Sequence, residues 1–556
     1  MTAVQRTTLA AFFPINAYKK QMVYRTSYLL TYFLLTIAPF WQAPLALAAT
    51  LSDIDQEIQA DKAFKTDRGG LDAYNIYQGV TNGRLDRKVE ILQGAGVHPR
   101  FYQTGAGIRD YTNFYSFTGQ AGVTDTKLDL VTGESTLRVY RRGSSGYREA
   151  SGYLGSWWAG EYRGIRQSRD QLAILAAWGS DLQRIYVIDV PAGYTLVGGL
   201  AAPMERNGEY RNGGAYQYYY RGAPAAWLVY ALYAPDYLKS YSGAVTSAQK
   251  AGRGIATDLG MHLHQARYTA NNDHRAEDGE VSGREGELWL RGFGGDLDYR
   301  EKDGSSAESQ TMGMSVGWQR MFSGQSSADR SRSYLGLMFG QGINLQKFAT
   351  SNVENDSRAT VGGLYGLYIS DSQSPSSWYG NGSLLLGGLS MNNTVPGELG
   401  YGLEQEYDGN IAVLTVENGL SFRRQNGWSV EPQVQFSYTK IHQSDFHDKL
   451  GARVSLEQGD SFWGRLGLEI RKTLSDTDQW QISLWTRVSY VRDFYAANEV
   501  IVAGDTARSE LDENSYVLAV GTEVKLNQRW SLQGQIEEVF NGARGLQGNL
   551  ALRYSW

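Results

Sequence analysis

The twelve residues Gly545-Leu-Gln-Gly-Asn-Leu-Ala-Leu-Arg-Tyr-Ser-Trp556 decide how the rest of the chain is interpreted. In an extended strand successive side chains point to opposite sides, so these residues form one apolar face and one polar face. The apolar face holds Leu546, Leu550, Leu552, Tyr554 and Trp556, and the polar face holds Gln547, Asn549, Arg553 and Ser555. An aromatic residue at the end of an apolar face is typical of a membrane–water interface. Taken alone, the pattern also fits a strand of a soluble sandwich.

The same alternation recurs upstream, which favours the membrane interpretation. Its segments are 429–438, 463–471, 481–492, 516–526 and 532–537. Their polar faces carry long side chains of both charge signs, as a hydrated lumen would, and aromatic residues lie near strand ends. We therefore predict a transmembrane antiparallel β-barrel of about twelve strands over residues 284–556, because only a closed sheet leaves no unpaired edge in lipid. A large soluble β-sandwich is the alternative.

Three longer polar stretches are predicted to be loops on the outer side of this barrel. They lie near Asp298–Ser309, Gly324–Arg332 and Val500–Asn514.

A helix is predicted immediately before the barrel, from Ser242 to about Arg267. Val245, Ala248, Ile255, Leu259 and Leu263 recur at helical spacing, with small residues between them. Polar groups on several faces do not suit lipid, but a narrow helix of this kind suits a water-lined barrel. We assign residues 244–283 to a pore helix and linker, and an ordinary interdomain helix is the alternative.

Composition excludes several other classes of protein. The chain has 556 residues, a formal net charge of -5 and a pI of about 5.8, which argues against a nucleic-acid binder. The chain contains no cysteine, which excludes disulfides and thiolate metal sites. No metal-ligand cluster is evident in the sequence. After residue 50 there is no run of eighteen or more apolar residues that would predict a transmembrane helix.

Residues 1–49 are predicted to be a signal peptide. Lys19, Lys20 and Arg25 form a basic region, an apolar run follows over residues 28–41, and Ala46-Leu-Ala-Ala49 offers small residues for cleavage. An N-terminal membrane anchor is the alternative.

Three segments of the C-terminal half resemble the autotransporter β-domain of type V secretion. They are Gly286-Glu-Leu-Trp-Leu-Arg-Gly-Phe-Gly-Gly295, Ser461-Phe-Trp-Gly-Arg-Leu-Gly-Leu-Glu469 and Asn549-Leu-Ala-Leu-Arg-Tyr-Ser-Trp556. The resemblance implies a barrel in the outer-membrane lipid of a bacterium and a passenger that is displayed on the cell surface or released. It also implies two partners, an inner-membrane secretion channel and the barrel-assembly machinery, which would read Tyr554 and Trp556. The target of the passenger on a host or cell surface is unknown.

Some autotransporters cut themselves between two asparagines just upstream of the barrel. Asn271 and Asn272 stand at such a place, and an asparagine amide can attack its own carbonyl. A plain linker is the alternative.

Residues 50–243, the front region, are predicted to form a compact α+β passenger domain. Leu137–Tyr140 and Arg184–Val190 are predicted strands, and Ser168–Trp178 is predicted to be a helix that Ser168 caps.

Part of the front region resembles the C-terminal domains of polymorphic toxins and, more loosely, ADP-ribosyltransferase and NAD-glycohydrolase toxins. The resemblance rests on Val139-Tyr-Arg-Arg142, Gly155-Ser-Trp-Trp158 and Gly213-Gly-Ala-Tyr-Gln217. It implies NAD as a substrate. Arg141 would hold the NAD phosphates, Ser156 and Trp157 would shape the nicotinamide pocket, and Gln217 would orient the ribose.

The toxin resemblance has one clear departure and two alternatives. The paired-glutamate turn of the transferases is missing, which favours NAD hydrolysis over protein modification. In the first alternative Arg141 is a surface residue, the tryptophans are core residues and Gly213-Gly214 is a turn. In the second the passenger is a noncatalytic adhesin or surface-binding module.

Overall fold

A computed structural model describes most of the chain beyond residue 136 and three short strands before it. The described ranges are 71–72, 112–114, 129–132, 137–143, 157–176, 179–191, 195–201, 204–206, 208–219, 223–271, 286–323, 330–372, 374–424, 426–476, 480–495, 497–511, 514–527 and 529–556. The predicted signal peptide, Ser156, Asn272 and the linker that follows it lie outside these residues.

Twelve antiparallel strands form a closed barrel, which confirms the predicted fold class and strand number. The strands, in order around the barrel, are β12 (Gly286–Arg300), β13 (Ser306–Ser323), β14 (Arg332–Phe348), β15 (Glu354–Ile369), β16 (Ser376–Val395), β17 (Leu403–Arg423), β18 (Trp428–His442), β21 (Asp460–Asp476), β22 (Gln481–Tyr495), β25 (Asn514–Lys525), β26 (Trp530–Asn541) and β27 (Ala543–Ser555). The barrel closes where β12 pairs with β27, with Leu290 opposite Leu552.

The parity seen in the final strand matches the two faces of the barrel wall. Leu546 and Leu550 are 57% and 58% exposed and point outward, whereas Arg553 is buried and points into the lumen. The outward face of the other strands is likewise apolar, with leucine, valine and aromatic side chains exposed. An apolar outer surface suits lipid. The closed sheet meets the second condition for a membrane span, because its backbone polar groups are paired between strands.

The two ends of the barrel hold different connections. The inner end, as we name it, is where Gly286 and Trp556 lie, and the Trp556 backbone N–H donates to the Gly286 carbonyl oxygen (3.1 Å). The connection 301–305 lies at the opposite, outer end, as does the connection between β22 and β25. Ser323, the last residue of β13, and Arg332, the first residue of β14, lie at the inner end, because β13 runs back across the barrel from the connection 301–305. Residues 324–329 of the predicted outer loop Gly324–Arg332 lie outside the described residues, but the described strand ends on either side of them are at the inner end and not at the predicted outer end.

One long helix, α2 (Ala234–Asn271), lies inside the barrel and packs against the strands from β12 to β18. Its 38 residues span about 57 Å at 1.5 Å per residue, more than the roughly 30 Å of a bilayer core. It begins eight residues before the predicted start. Pro235 stands in the first turn, where a missing N–H costs nothing. Among the helices of the described residues, none has both the length and the apolar character of a bilayer-crossing helix.

Four short strands form a separate sheet at the outer end of the barrel. The outer sheet runs in the order β19 (Phe446–His447), β20 (Arg453–Gln458), β23 (Ala497–Val502) and β24 (Asp505–Glu510). Both of its hairpins are insertions between barrel strands, and its apolar side chains join the core around α2.

A seven-stranded sheet, the front sheet, precedes the helix. Its order is β11 (Leu228–Tyr233), β6 (Arg184–Val190), β4 (Leu137–Gly143), β5 (Trp157–Ala159), β10 (Tyr216–Tyr219), β7 (Thr195–Leu200) and β3 (Asp129–Thr132). Two small sheets accompany it, β1 (Leu71–Asp72) with β2 (Thr112–Phe114) and β8 (Met204–Arg206) with β9 (Glu209–Arg211). The two strands predicted within 137–190 are confirmed.

The helix predicted at Ser168–Trp178 was placed wrongly. The observed helix, α1, covers Ile165–Gln171, and Ser168 is buried in its middle rather than at its start. The Ser168 hydroxyl donates to the Arg163 carbonyl oxygen (3.1 Å), so it bonds back along the helix and caps nothing. Ala173 adopts a left-handed φ of 54°, which breaks the helical geometry before Leu175 and Ala176, two of the three apolar residues whose spacing suggested the longer helix.

Candidate functional site

The lumen of the barrel and the helix within it form the site whose geometry is most completely described. We divide the helix into an outer section, residues 242–256, and an inner section, residues 257–269. The two sections contact the wall in different ways.

The outer section approaches the wall closely because both surfaces are built from small residues. A Cβ atom on Gly342 of β14 would lie 2.7 Å from the Ala251 carbonyl oxygen and 3.0 Å from Cγ1 of Ile255. Conversely, a Cβ on Gly252 of the helix would lie 2.5 Å from Cδ1 of Ile411. Distances this short leave no room for a methyl group, so steric fit positions this part of the helix.

Hydrogen bonds to uncharged partners supplement this fit. The Ser247 hydroxyl donates to the Asn344 side-chain oxygen (2.8 Å). The Lys250 ammonium donates to the Gln346 amide oxygen (2.9 Å) and lies 3.3 Å from the ring centroid of Tyr299.

The inner section is held by buried charge pairs. Nε of Arg291 donates to Asp258 (2.9 Å), and neither side chain has any exposed surface. The other guanidinium nitrogens of Arg291 donate to Gln533 (3.0 Å) and Asn549 (2.9 Å), and Ser315 donates to Asp258. The helix carboxylate is thus tied to both sides of the seam between β12 and β27.

A second group of charges lies about two turns further along the helix. Arg267 donates to Glu431 (2.6 Å) and stacks 3.7 Å above the ring of Tyr379. His264 lies 2.8 Å from a Glu469 carboxylate oxygen and 3.0 Å from Nη2 of Arg471. All of these side chains are buried, and each carboxylate has a guanidinium partner.

His264, Glu431 and Glu469 are the group among the described residues with metal-ligand geometry. One potential ligand atom from each lies within 4.8 Å of the others. Because Arg267 and Arg471 already neutralise the two carboxylates, the group offers a divalent cation little net negative charge. We interpret it as a structural charge cluster.

A cavity of about 140 Å³ lies beside the helix, on the side away from β14 and β15. The helix contributes Lys250, Arg253 and Asp258 to its lining. Among the wall residues that line it, Arg465 and Arg487 come from β21 and β22. Its lining mixes these charged side chains with apolar ones such as Phe293 and Val491.

At the outer end, the first turns of the helix contact the outer sheet through one carboxylate. The hydroxyls of Tyr237 and Tyr241 both donate to Oδ2 of Asp448, the second over 2.7 Å. The backbone N–H groups of Leu450 and Ala452 donate to Oδ1, each over 2.9 Å. Burial raises the pKa of Asp448, and these hydrogen bonds oppose the rise.

The residues predicted to handle NAD do not all share one face of the front sheet. Tyr140 and Gln217 pair with Ala159 from its two sides, so these three side chains point to the same face. Arg141 follows Tyr140 in the same strand and therefore points to the opposite face. Trp157 shares the face of Gln217, and Ser156 lies outside the described residues. One cleft on one face of the sheet does not hold both Arg141 and Gln217.

The predicted cleavage and assembly residues lie at the inner end. Asn271 is the last residue of α2, and Asn272 lies outside the described residues. The ring of Trp556 is 49% exposed and stacks on Tyr554 with a centroid distance of 5.9 Å. It also covers Gly286, where a Cβ would lie 2.6 Å from the ring. The aromatic end of β27 thus covers the start of β12.

Sequence reasoning missed two charge pairs between the helix and the wall, Asp258 with Arg291 and Arg267 with Glu431. A signal was present, since Arg291 and Glu431 have the inward parity of their strands and the helix carries charges that would be unfavourable in lipid. What the sequence lacked was the depth of each helix residue within the barrel, which decides the pairs.

Comparison with known proteins finds matches for the barrel. Residues 288–537 match the family model described as the autotransporter beta-domain. The pertactin autotransporter of Bordetella parapertussis is 26% identical over 271 residues, covering 47% of this chain and 28% of the relative. The adhesin BmaC autotransporter of Brucella suis biovar 1 is 34% identical over 143 residues, which cover 21% of this chain and 4% of the relative.

Among solved structures, the β-domain of the Bordetella autotransporter BrkA matches with a TM-score of 0.40 and 18% identity, covering 49% of this chain and 99% of that one. The NalP translocator domain of Neisseria meningitidis matches with a TM-score of 0.39 and 14% identity, covering 56% of this chain and 100% of that one. The chain spans less than a third of the length of the pertactin relative.

Proposed function

We propose that this chain, whose C-terminal half carries an autotransporter β-domain and lies in the bacterial outer membrane, uses that barrel to carry its own front region to the cell surface and hold it there. The observation that carries the proposal is the continuity between front sheet and pore. Strand β11 ends at Tyr233, α2 begins at Ala234, and α2 then runs through the barrel to the end where β12 starts. A chain that leaves its barrel along this path emerges at the outer end.

Surface labelling of intact cells tests this proposal. Protease added outside the cell is expected to remove the front region and to spare the barrel, and antibody to the front region is expected to bind unbroken cells. Assay of the culture supernatant beside the cells distinguishes display from release. A front region that becomes accessible only after the outer membrane is broken would contradict the proposal.

Assembly is proposed to depend on the barrel-assembly machinery reading Tyr554 and Trp556, after export of the chain through an inner-membrane channel that recognises residues 1–49. The exposed ring of Trp556, which lies over the seam of the barrel, supports this role. Deletion of Trp556 is expected to lower the fraction of heat-modifiable barrel. Trp428→Ala is the matched control, because Trp428 is a similarly exposed aromatic (44%) at the inner end, on another strand. Equal losses in both variants would argue against an assembly signal.

The front region is proposed to act as a noncatalytic surface-binding module. The placement of Arg141 and Gln217 on opposite faces of the front sheet supports this choice over NAD chemistry. One matched relative is named an adhesin, although the match covers 4% of its length.

NAD hydrolysis remains a second prediction, and titration calorimetry decides between the two. NAD added to the full chain in detergent is expected to give no heat and no nicotinamide. Heat and hydrolysis that Arg141→Ala abolishes would instead establish the NAD-consuming enzyme.

Cleavage between Asn271 and Asn272 is proposed as a separate step, and its support is the dipeptide at the end of α2. A gel of outer membranes is expected to show two fragments of the wild-type protein. The Asn271→Ala variant is expected to show only the uncleaved mature chain. Full-length mature protein alone would exclude the cleavage.

A further inference from the structure

The tip of one outer hairpin has a backbone shaped to receive another part of the chain. Strands β23 and β24 are joined through Ala503 and Gly504, whose φ angles are 49° and 85°. Two consecutive left-handed residues are typical of a tight two-residue hairpin turn. Ala503 is not a glycine, so this conformation is strained and needs support from its surroundings.

The support comes from the segment that starts helix α1. The Gly164 N–H donates to the Ala503 carbonyl oxygen (3.2 Å), and the Ile165 N–H donates to the Asp505 carboxylate (2.8 Å). The same carboxylate accepts a hydrogen bond from Arg142 (2.7 Å). The Arg142 and Asp505 side chains are only 3% and 10% exposed, so the ion pair is sealed between the front sheet and the hairpin.

Space at this contact is limited to a glycine. A Cβ on Gly164 would lie 2.5 Å from the Ala503 carbonyl oxygen and 2.7 Å from Oδ1 of Asp505. The backbone of Gly164, with φ of -62° and ψ of 170°, is open to any residue. Glycine is therefore needed for the close approach and not for the backbone conformation.

An aromatic column continues from this contact to the helix in the pore. The ring of Tyr162 meets that of Tyr237 edge-on at 5.7 Å, and Tyr237 meets Tyr241 at 5.5 Å. The ring centroid of Tyr241 in turn lies 6.0 Å from that of Tyr407 in the barrel wall. Tyr162 belongs to the front region, so front-region side chains complete the packing over the outer end of the lumen.

We propose that the tip of the hairpin formed by β23 and β24 is a docking site for residues 163–167, and that the docked front sheet closes the outer mouth of the pore. The partner of this surface is the protein's own front region, and the Arg142–Asp505 pair locks it in place. We call the docked front sheet the lid. A lid goes beyond the proposed function, although it rests on the front region lying at the outer end.

Gly164→Ala tests the docking, with Gly160→Ala as the matched control. Gly160 is four residues away in the same region, and a Cβ there would meet its nearest atom at an ordinary 3.5 Å. The docking is measured as the rate of amide hydrogen exchange at residues 163–167, in the full chain in detergent. Gly164→Ala is expected to speed exchange there by about tenfold or more, because an added methyl in a packed contact forces the surfaces apart.

Single-channel conductance of the same proteins in planar bilayers tests closure. Gly164→Ala is expected to open the pore more often than the wild type and Gly160→Ala, with the heat-modifiable barrel unchanged. Asp505→Asn is the second variant. It keeps the size and shape of the side chain at the tip, but it takes away the charge that Arg142 needs, and the same opening is expected.

Faster exchange at residues 163–167 with unchanged conductance would overturn the lid, and unchanged exchange in both variants would overturn the docking. Neither readout depends on which side of a cell membrane the front region occupies. Failure of this inference is therefore distinguishable from failure of surface display, which cell labelling measures.

Discussion

The outer and inner sections of the pore fix one helix by two different physical means. In the outer section, glycines of the helix and of the wall bring the two backbones together, as Gly342 and Ala251 show. In the inner section the contacts are made by long charged side chains, such as Arg291 with Asp258 and Arg267 with Glu431. The first kind of contact depends on shape and the second on charge balance.

The difference predicts opposite responses to substitution. A steric contact fails when an atom is added, because a packed surface has no room for it. A buried ion pair fails when one partner is removed, because the remaining charge is left without water or a counter-ion. Removing both partners of such a pair costs far less than removing one.

The largest expected effect is that of Arg291→Met in the inner section. The substitution keeps an unbranched apolar stem but leaves Asp258 charged and buried, so we expect a loss of about 3–5 kcal/mol in the free energy of unfolding. Denaturant unfolding of the full chain in detergent, followed by tryptophan fluorescence, measures the loss.

The double variant Arg291→Met with Asp258→Asn is its control. It carries no unpaired charge at this position, and the amide that replaces the Asp258 carboxylate still accepts a hydrogen bond from Ser315, so most of the lost stability is expected to return. Losses that simply add in the double variant would contradict the charge-balance account.

The next effect is that of Gly342→Ala in the outer section. The new methyl would meet the Ala251 carbonyl oxygen at 2.7 Å, and we expect a destabilisation of about 1–3 kcal/mol from overpacking. The same unfolding assay reads it. Gly388→Ala makes the same change on the lipid face of β16, where nothing lies within 4 Å, and is expected to change little. A Gly342→Ala protein as stable as Gly388→Ala would show that the helix does not need its close approach.

The sequence predicted the wall of the barrel well and its contents only in part. Parity alone places Leu550 outside and Arg553 inside, since a strand has only two faces, and twelve alternating strands repeat that test. The end of the barrel at which a connection lies cannot be found from its own residues, because it depends on how many strands precede it. Residues 324–331 are polar like an outer loop, and only the number of strands before them shows that the strand ends on either side, Ser323 and Arg332, lie at the inner end.

The front region shows what a motif order cannot supply. Arg141 and Gln217 were joined by the order of short motifs along the chain, but the face each side chain occupies depends on strand register. A shift of one residue moves a side chain to the other face of a sheet, and Tyr140 rather than Arg141 shares the face of Gln217. The Arg142–Asp505 pair links residues 363 apart in the chain and depends on the same kind of information.

The smallest expected effect sharpens the comparison, because it concerns a charged residue in the outer section. Lys250 donates to the Gln346 amide and lies over the Tyr299 ring, and removal of its charge leaves both of these partners neutral. Lys250→Met keeps most of the stem, so we expect stability within about 1 kcal/mol of the wild type in the same unfolding assay. Lys250→Ala, which also removes the stem, is expected to lose more, because it leaves a cavity against the wall. If Lys250→Met instead cost as much as Arg291→Met, charge balance would govern the outer section as well, and the division of the pore into two sections would fail.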